Sequence, residues 1–366
     1  MHSSRPSRSG VTLARLLIQP DPVTARFARQ AVVDGSVEPL GAELRFRWSG
    51  GPPRLLPPPS PYATSVLLSQ ALLDGGLMQR QPGCLFVEMD GTTLLSPIAD
   101  VLCGQLGAIQ LPRDLPVTEP ITRRIAQLHA RGYRFALAGV VSPEDPRVPW
   151  LPMAAFVKLD TALAPVCAWA PVQDLARQVG ATLIADCLGE AADYLRLKAQ
   201  GVSCFQGDLL MLPQEESPPM LPSCDVDVLG RVFQLARLGA PHDAIAMAAT
   251  ADPALVIRLL MLHRLQVPGG RPPATLADTV ASLPERVLIG WLHVLRTSTF
   301  DMMPNCQSWS QAVREQIYNY RARLIGARVC SSPAELEAKV FNLYRRLCSR
   351  EPQGATPAMP TLPGKA

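Results

Sequence analysis

Ionisable side chains recur at every second position in Glu43-Leu44-Arg45-Phe46-Arg47, within the longer run Leu40-Gly41-Ala42-Glu43-Leu44-Arg45-Phe46-Arg47-Trp48. A strand turns successive side chains to opposite faces, so Leu40, Ala42, Leu44, Phe46 and Trp48 share one side. Glu43, Arg45 and Arg47 share the other. Taken alone, this is an edge strand with a charged, solvated face. If the same face lines the mouth of a barrel, a permanent cation stands two residues' rise from a carboxylate, and a divalent ion bound there would meet repulsion. A second candidate is the dipeptide His242-Asp243. No other histidine stands as its companion, and His263 and His293 fall in otherwise apolar helical runs, so Asp243 reads as a helix cap rather than a metal ligand. Phosphate-loop, dinucleotide-loop, zinc-protease and serine-hydrolase motifs are absent.

These residues sit in a chain of 366 residues with 48% hydrophobic content, enough for two domains that each bury a core. The net charge is only +4, and no Lys/Arg block forms a phosphate-tracking stripe, which excludes nucleic acid as an expected partner. The nine cysteines include no C-x-x-C pair, which points to reduced thiols in a cytoplasmic protein and against structural zinc. No run of eighteen apolar residues exists, so no membrane association is expected. Arg5, Arg8 and Arg15 among serines give the first residues the look of a transit peptide, and a disordered leader over 1–22 is the simpler expectation.

Strand-like runs over 37–48, 84–89, 107–111, 133–141, 154–159, 181–187 and 202–205 alternate with helical patterns over 62–73, 92–106, 121–130, 171–179 and 190–199. That alternation predicts a parallel sheet, and the number of units favours a closed barrel over 23–213. A proline-rich stretch, 214–223, reads as a linker. Beyond it the texture is wholly helical over 224–349, with Asp252-Pro253 at one helix start, and 350–366 reads as a disordered tail. The expected fold class is thus α/β followed by all-α.

Several segments carry a family resemblance. Phe27-Ala28-Arg29-Gln30, Asp34 and Gly41 to Arg47 resemble the opening of bacterial proteins that join an EAL-type cyclic di-GMP phosphodiesterase domain to a helical HDOD domain. Leu128 to Leu137, Ala155 to Asp160, Leu183 to Gly189 and Phe205-Gln206-Gly207 resemble later junctions of the same barrel. The likeness implies a TIM-like (β/α) barrel of EAL type followed by an HDOD-like domain. It also implies roles. Glu43 stands at a metal-ligand position, Arg47 at a phosphate contact, Lys158 at the position that assists the attacking water, and Gln206 near the catalytic centre. Arg45 replaces the family's Leu. Glu88 and Asp186 are carboxylate replacements for an Asn and a Glu ligand. Gln110, Ala138, Gly139 and Gly189 stand where family ligands are lost. In the helical half, Asp252-Pro253-Ala254-Leu255 and Ile289-Gly290-Trp291-Leu292 resemble HDOD segments.

With its losses, the resemblance implies a chain that is not an enzyme, holds no Mg or Mn, and acts in bacterial signal transduction through unidentified signalling proteins, with homo-oligomers an open possibility. The residual lumen, three carboxylates facing Lys158 and Arg45, is expected to neutralise itself without metal. A non-hydrolysing cyclic di-GMP receptor, with Arg45 and Arg47 on phosphate, is the first alternative. A weak cyclic di-GMP phosphodiesterase is the second.

Overall fold

The computed structural model describes residues 26–47, 59–74, 83–163, 169–216, 224–267 and 273–300. Among the described residues, nine strands form one sheet in the order β2-β3-β4-β5-β6-β7-β8-β1-β9, and β2 pairs again with β1, so the first eight close into a barrel. They are β1 (Arg26–Asp34), β2 (Pro39–Arg47), β3 (Cys84–Glu88), β4 (Gly107–Leu111), β5 (Arg134–Ala138), β6 (Ala154–Asp160), β7 (Thr182–Asp186), β8 (Cys204–Phe205) and β9 (Gln214–Glu216). Strands β2 to β8 are parallel neighbours, whereas β1 runs antiparallel to both β2 and β8.

Helices follow the strands: α1 (Pro61–Leu68), α2 (Gly91–Leu95), α3 (Glu119–His129), α4 (Ala170–Gln178) and α5 (Ala191–Ala199). The outward strand residues, among them Leu85, Val87, Ile109, Leu137, Val157 and Leu159, pack under these helices in the main core. The inward residues Val32, Phe86, Ala108, Ala136, Phe156, Ile184 and Cys204 form a separate apolar layer inside the barrel. Within it the Phe86 and Phe156 rings meet edge to face at 5.0 Å. The helical half contributes α6 (Val226–Arg237), α7 (His242–Ala249), α8 (Pro253–Gln266), α9 (Leu276–Ala281) and α10 (Glu285–Phe300). Asp252 caps α8, its Oδ1 accepting from Ala254 N (3.0 Å), with Pro253 following in the first turn.

The structure departs from the sequence reading at several points. Residues 26–34 form a full strand ahead of the first strand expected from the pattern. The run 37–48 splits because Val37 takes a left-handed turn conformation (φ 67°) and the strand begins at Pro39. The helix expected over 92–106 breaks at Ser96, which is extended ahead of Pro97 (φ −85°, ψ 168°), leaving α2 and a 3-10 turn, Pro97–Val101. Residues 214–216 at the start of the expected linker are strand β9, paired with Phe27 to Arg29 of β1. Asp243 does not cap α7. Pro241 is the N-cap residue, and Asp243 sits in the first turn, where its charge suits the helix dipole. The expected leader and tail, and the helices expected beyond residue 300, lie outside the described residues.

Candidate functional site

In the parallel strands β3 to β8, each inward residue of the apolar layer is followed two positions later by a residue on the same face toward the C-terminal end; in β2 that residue is Glu43, and in antiparallel β1 it is Gln30, two positions before Val32 and in register with Glu43. The resulting second layer contains Gln30, Glu43, Glu88, Gln110, Ala138, Lys158, Asp186 and Gln206, all but Ala138 polar. One turn of the barrel thus gathers residues spread over 177 positions of sequence into one ring at the face where parallel α/β barrels carry their chemistry.

Glu43 is the hub of this ring and is 1% exposed. Its Oε2 accepts from Lys158 Nζ (2.7 Å) and Gln206 Nε2 (2.6 Å). Its Oε1 accepts from Arg45 Nε (2.8 Å) and Gln110 Nε2 (3.2 Å). Lys158, fully buried, is shared: its Nζ lies 3.0 Å from Asp186 Oδ2 and donates to Gln110 Oε1 at 3.2 Å. Gln110 Nε2 also donates to Glu88 Oε2 (3.0 Å), so one amide bridges two carboxylates. Gln206 Nε2 donates in addition to Gln30 Oε1 (3.1 Å), and Gln30 in turn donates to Asp208 (3.1 Å).

Electrostatics follow from these contacts. Burial alone would raise the Glu43 pKa, but Lys158 and Arg45 outweigh it and hold the carboxyl well below the ordinary range. Burial would likewise lower Lys158, and Asp186 with Glu43 reverses this and keeps it charged. Glu43 also raises Arg45 further. Glu88 goes the other way, because burial and the neighbouring Glu43 charge both favour its protonated form.

A cavity of about 120 Å³ opens beside the ring, between β2–β3 and α1, lined by Glu43, Arg45, Phe46, Glu88, Ala63 and Leu67 among others. Arg45 reaches it with 36% of its side chain exposed. Arg47 lies two residues further along the same face, in register with Arg26, and does not line the cavity. Ala138 belongs to the ring without a polar atom. Gly139 ends β5 in a left-handed conformation (φ 65°), and Gly189 sits in an open loop where an added Cβ would meet nothing within 4 Å. Among the described residues, no group of three His, Cys, Asp or Glu is placed to hold a metal ion.

Two site residues escaped the sequence reading. Gln30 is in register with Glu43, a pairing visible only once 26–34 is recognised as a strand. Arg147, 1% exposed, clasps Asp145 through Nε (3.0 Å) and Nη2 (2.7 Å) and donates from Nη1 to the carbonyls of Pro112 (2.8 Å) and Ala138 (2.9 Å). It thereby ties the C-terminal ends of β4 and β5 together. The one signal for it in the sequence was Asp-x-Arg between prolines, which is too common to read.

No family model and no curated protein matches the sequence. Solved structures that resemble the fold are EAL domains. The EAL enzyme Bd1971 in its cAMP- and cyclic-di-GMP-bound form gives a TM-score of 0.43 at 16% identity, over 56% of this chain and 65% of that one. Klebsiella pneumoniae BlrP1 in a calcium and cyclic-di-GMP complex gives 0.44 at 16%, over 59% and 68%. The EAL domain of Mycobacterium smegmatis DcpA gives 0.43 at 16%, over 52% and 93%. The chain thus spans about two thirds of the length of the first two. These neighbours correct the expectation that the chain is not an enzyme: one is itself described as an EAL enzyme. As to membranes, no helix among the described residues is long and apolar enough to cross one.

Proposed function

We propose that the chain is a cyclic di-GMP signalling protein whose barrel mouth meets the dinucleotide's phosphate with Arg45 and holds no resident divalent ion. The observation that carries this reading is the position of Lys158, whose ammonium stands 2.7 Å from Glu43 and 3.0 Å from Asp186. A divalent ion shared by those two carboxylates would need the same place, and it would have to displace a buried cation with three acceptors in reach. Both oxygens of Glu43 already accept two donors each. The donor set therefore does not fit the metal pair that the resemblance implies.

Arg45, on the rim and paired with Glu43 of the ring, is the cation that reaches the cavity, and a guanidinium is suited to phosphate oxygens. The cavity is well below the roughly 300 Å³ at which whole small ligands are enclosed, so it takes one phosphate-sized part while the rest of the dinucleotide lies across the mouth. The helical half, in this reading HDOD-like, is the surface that meets signalling partners; Leu238 and Met247 stand exposed on it.

Titration calorimetry with cyclic di-GMP tests the proposal. The expected result is micromolar binding that EDTA, Mg²⁺ and Mn²⁺ leave unchanged and that Arg45→Ala weakens about tenfold or more, the worth of one charge-assisted hydrogen bond. Binding that appears only with Mn²⁺, or that survives Arg45→Ala intact, overturns it.

A further inference from the structure

The crossover from β3 to β4 is too short to cover the barrel there. Its helix α2 has five residues, about 7.5 Å of helix, against strands of five residues that run about 16 Å. Yet Ile98, Ala99, Val101 and Leu102 in this crossover are fully buried. Helix α10, from the far end of the described chain, covers them by packing on the Pro97–Val101 turn. Gly290 marks the closest approach: a Cβ there would lie 2.7 Å from the Pro97 carbonyl oxygen and 2.9 Å from Val101 Cγ1. Trp291, Leu292, Val294 and Leu295 of α10 are buried in the core shared with the barrel. Near the helix start, the charge of Arg286 acts on Tyr133, whose hydroxyl donates to the Asp100 carbonyl (2.6 Å).

The same helix packs on α1. Residues Ala63 to Leu68 of α1 are all buried, Thr64 and Ser65 included, so α1 has no solvent face in that stretch. One side of it packs on β2, where Tyr62 meets Phe46 edge to face, and Ala63, Thr64 and Leu67 line the cavity beside Arg45 and Glu88. Beyond Leu68 the chain passes into a π-helical turn, Ser69–Asp74, that touches α8 and α10. Such turns are rare and are found frequently at functional sites.

We propose that α10 serves as the missing wall helix of the barrel, and that α1, clamped between α10 and the cavity, couples the docking of the helical half to the state of the cavity. Anything that widens the cavity against α1 presses on α10, and anything that lifts α10 frees α1. The coupling is reciprocal, as linkage requires, and does not depend on which ligand the mouth takes.

Amide hydrogen exchange on the full chain tests this in both directions. Gly290→Ala, which forces α10 off the Pro97–Val101 turn, should speed exchange in 61–68 about tenfold or more while leaving 182–186 unchanged. Ala63→Met, which fills the cavity from the α1 side without any ligand, should change exchange in 285–299 by a similar factor while leaving 182–186 unchanged. Faster exchange confined to the helical half in the first variant, or an unaltered α10 in the second, overturns the proposal. Should Gly290→Ala fail to fold, exchange of the unmodified protein in rising urea decides: α1 and α10 opening in one step supports the coupling, and α10 opening first while α1 stays protected refutes it. Calorimetry with cyclic di-GMP reads neither result, so the ligand assignment and this coupling fail separately.

Discussion

Replacing Lys158 with Met puts the self-paired ring to its most direct test. The substitution keeps a chain of similar length in a fully buried position and removes the ammonium that contacts Glu43 (2.7 Å), Asp186 (3.0 Å) and Gln110 (3.2 Å). Removing one partner of a buried pair costs about 3–5 kcal/mol, because the other charge is left uncompensated. Two features place the expected loss near the lower end. Glu43 keeps Arg45, Gln110 and Gln206 as donors, and Asp186 keeps the Cys187 backbone N–H (2.8 Å). A loss of about 3 kcal/mol is therefore expected for Lys158→Met. Adding Glu43→Gln removes the stranded charge and keeps the shape and one acceptor oxygen, at the expense of turning the other into a donor, so the double variant should recover about 1–2 kcal/mol of that loss rather than add to it. Urea denaturation followed by the fluorescence of the buried Trp150 and Trp169 measures both. A loss below about 1 kcal/mol for Lys158→Met, or simple additivity in the double variant, would refute the claim that these charges neutralise one another.

Further expectations concern the rest of the ring. Burial and the Glu43 charge raise the Glu88 pKa, so the folded state holds a proton that the unfolded state has released. Stability then falls as pH rises from the unfolded carboxylate value through the raised folded one. Glu88→Gln should abolish that fall and raise Tm at about pH 8 more than at about pH 4, as thermal scans across pH would show; equal shifts at both ends would count against it. Arg147→Met strands Asp145 and frees the carbonyls of Pro112 and Ala138, and should cost about 3–5 kcal/mol by urea denaturation. A ring without resident metal predicts that EDTA and millimolar Mn²⁺ each move Tm by less than about 1 °C, whereas a tight site would add several kcal/mol by linkage.

How much of this could be read in advance differs by element. Strands β3 to β7 were legible because each is a short apolar run bounded by turns, with both faces buried, and the ring residues fell into place once those strands were set in register. Strand β1 was not legible, since Arg29, Gln30 and Asp34 interrupt its apolar content and its partners are the distant β2, β8 and β9. The α2 region misled because its apolar pattern continues through Leu94, Leu95 and Ile98, while Pro97 between them breaks the helix and forces Ser96 into an extended conformation. The role of α10 was invisible for a different reason. Its apolar face announces a buried helix, but which surface buries it is a long-range fact, and the one local sign is a glycine at 290 inside a helix that would otherwise favour alanine.

The arrangement around Glu43 also bears on how a charged ligand could enter. Of the four donors on that carboxylate, Lys158, Gln110 and Gln206 come from inside the barrel and are held by further partners, while Arg45 comes from the rim and faces the cavity. If Arg45 swings toward an anion, Glu43 still has the Lys158 ammonium and two amide donors, so no buried charge is stranded. Drawing away Lys158 instead would leave Asp186 without its cation and Gln110 without a donor to its oxygen. The ring can therefore yield Arg45 at little cost and resists yielding Lys158. On the proposed reading, an anion would enter by taking the place of Glu43 as the partner of Arg45, whereas a metal ion would have to dismantle the centre of the ring.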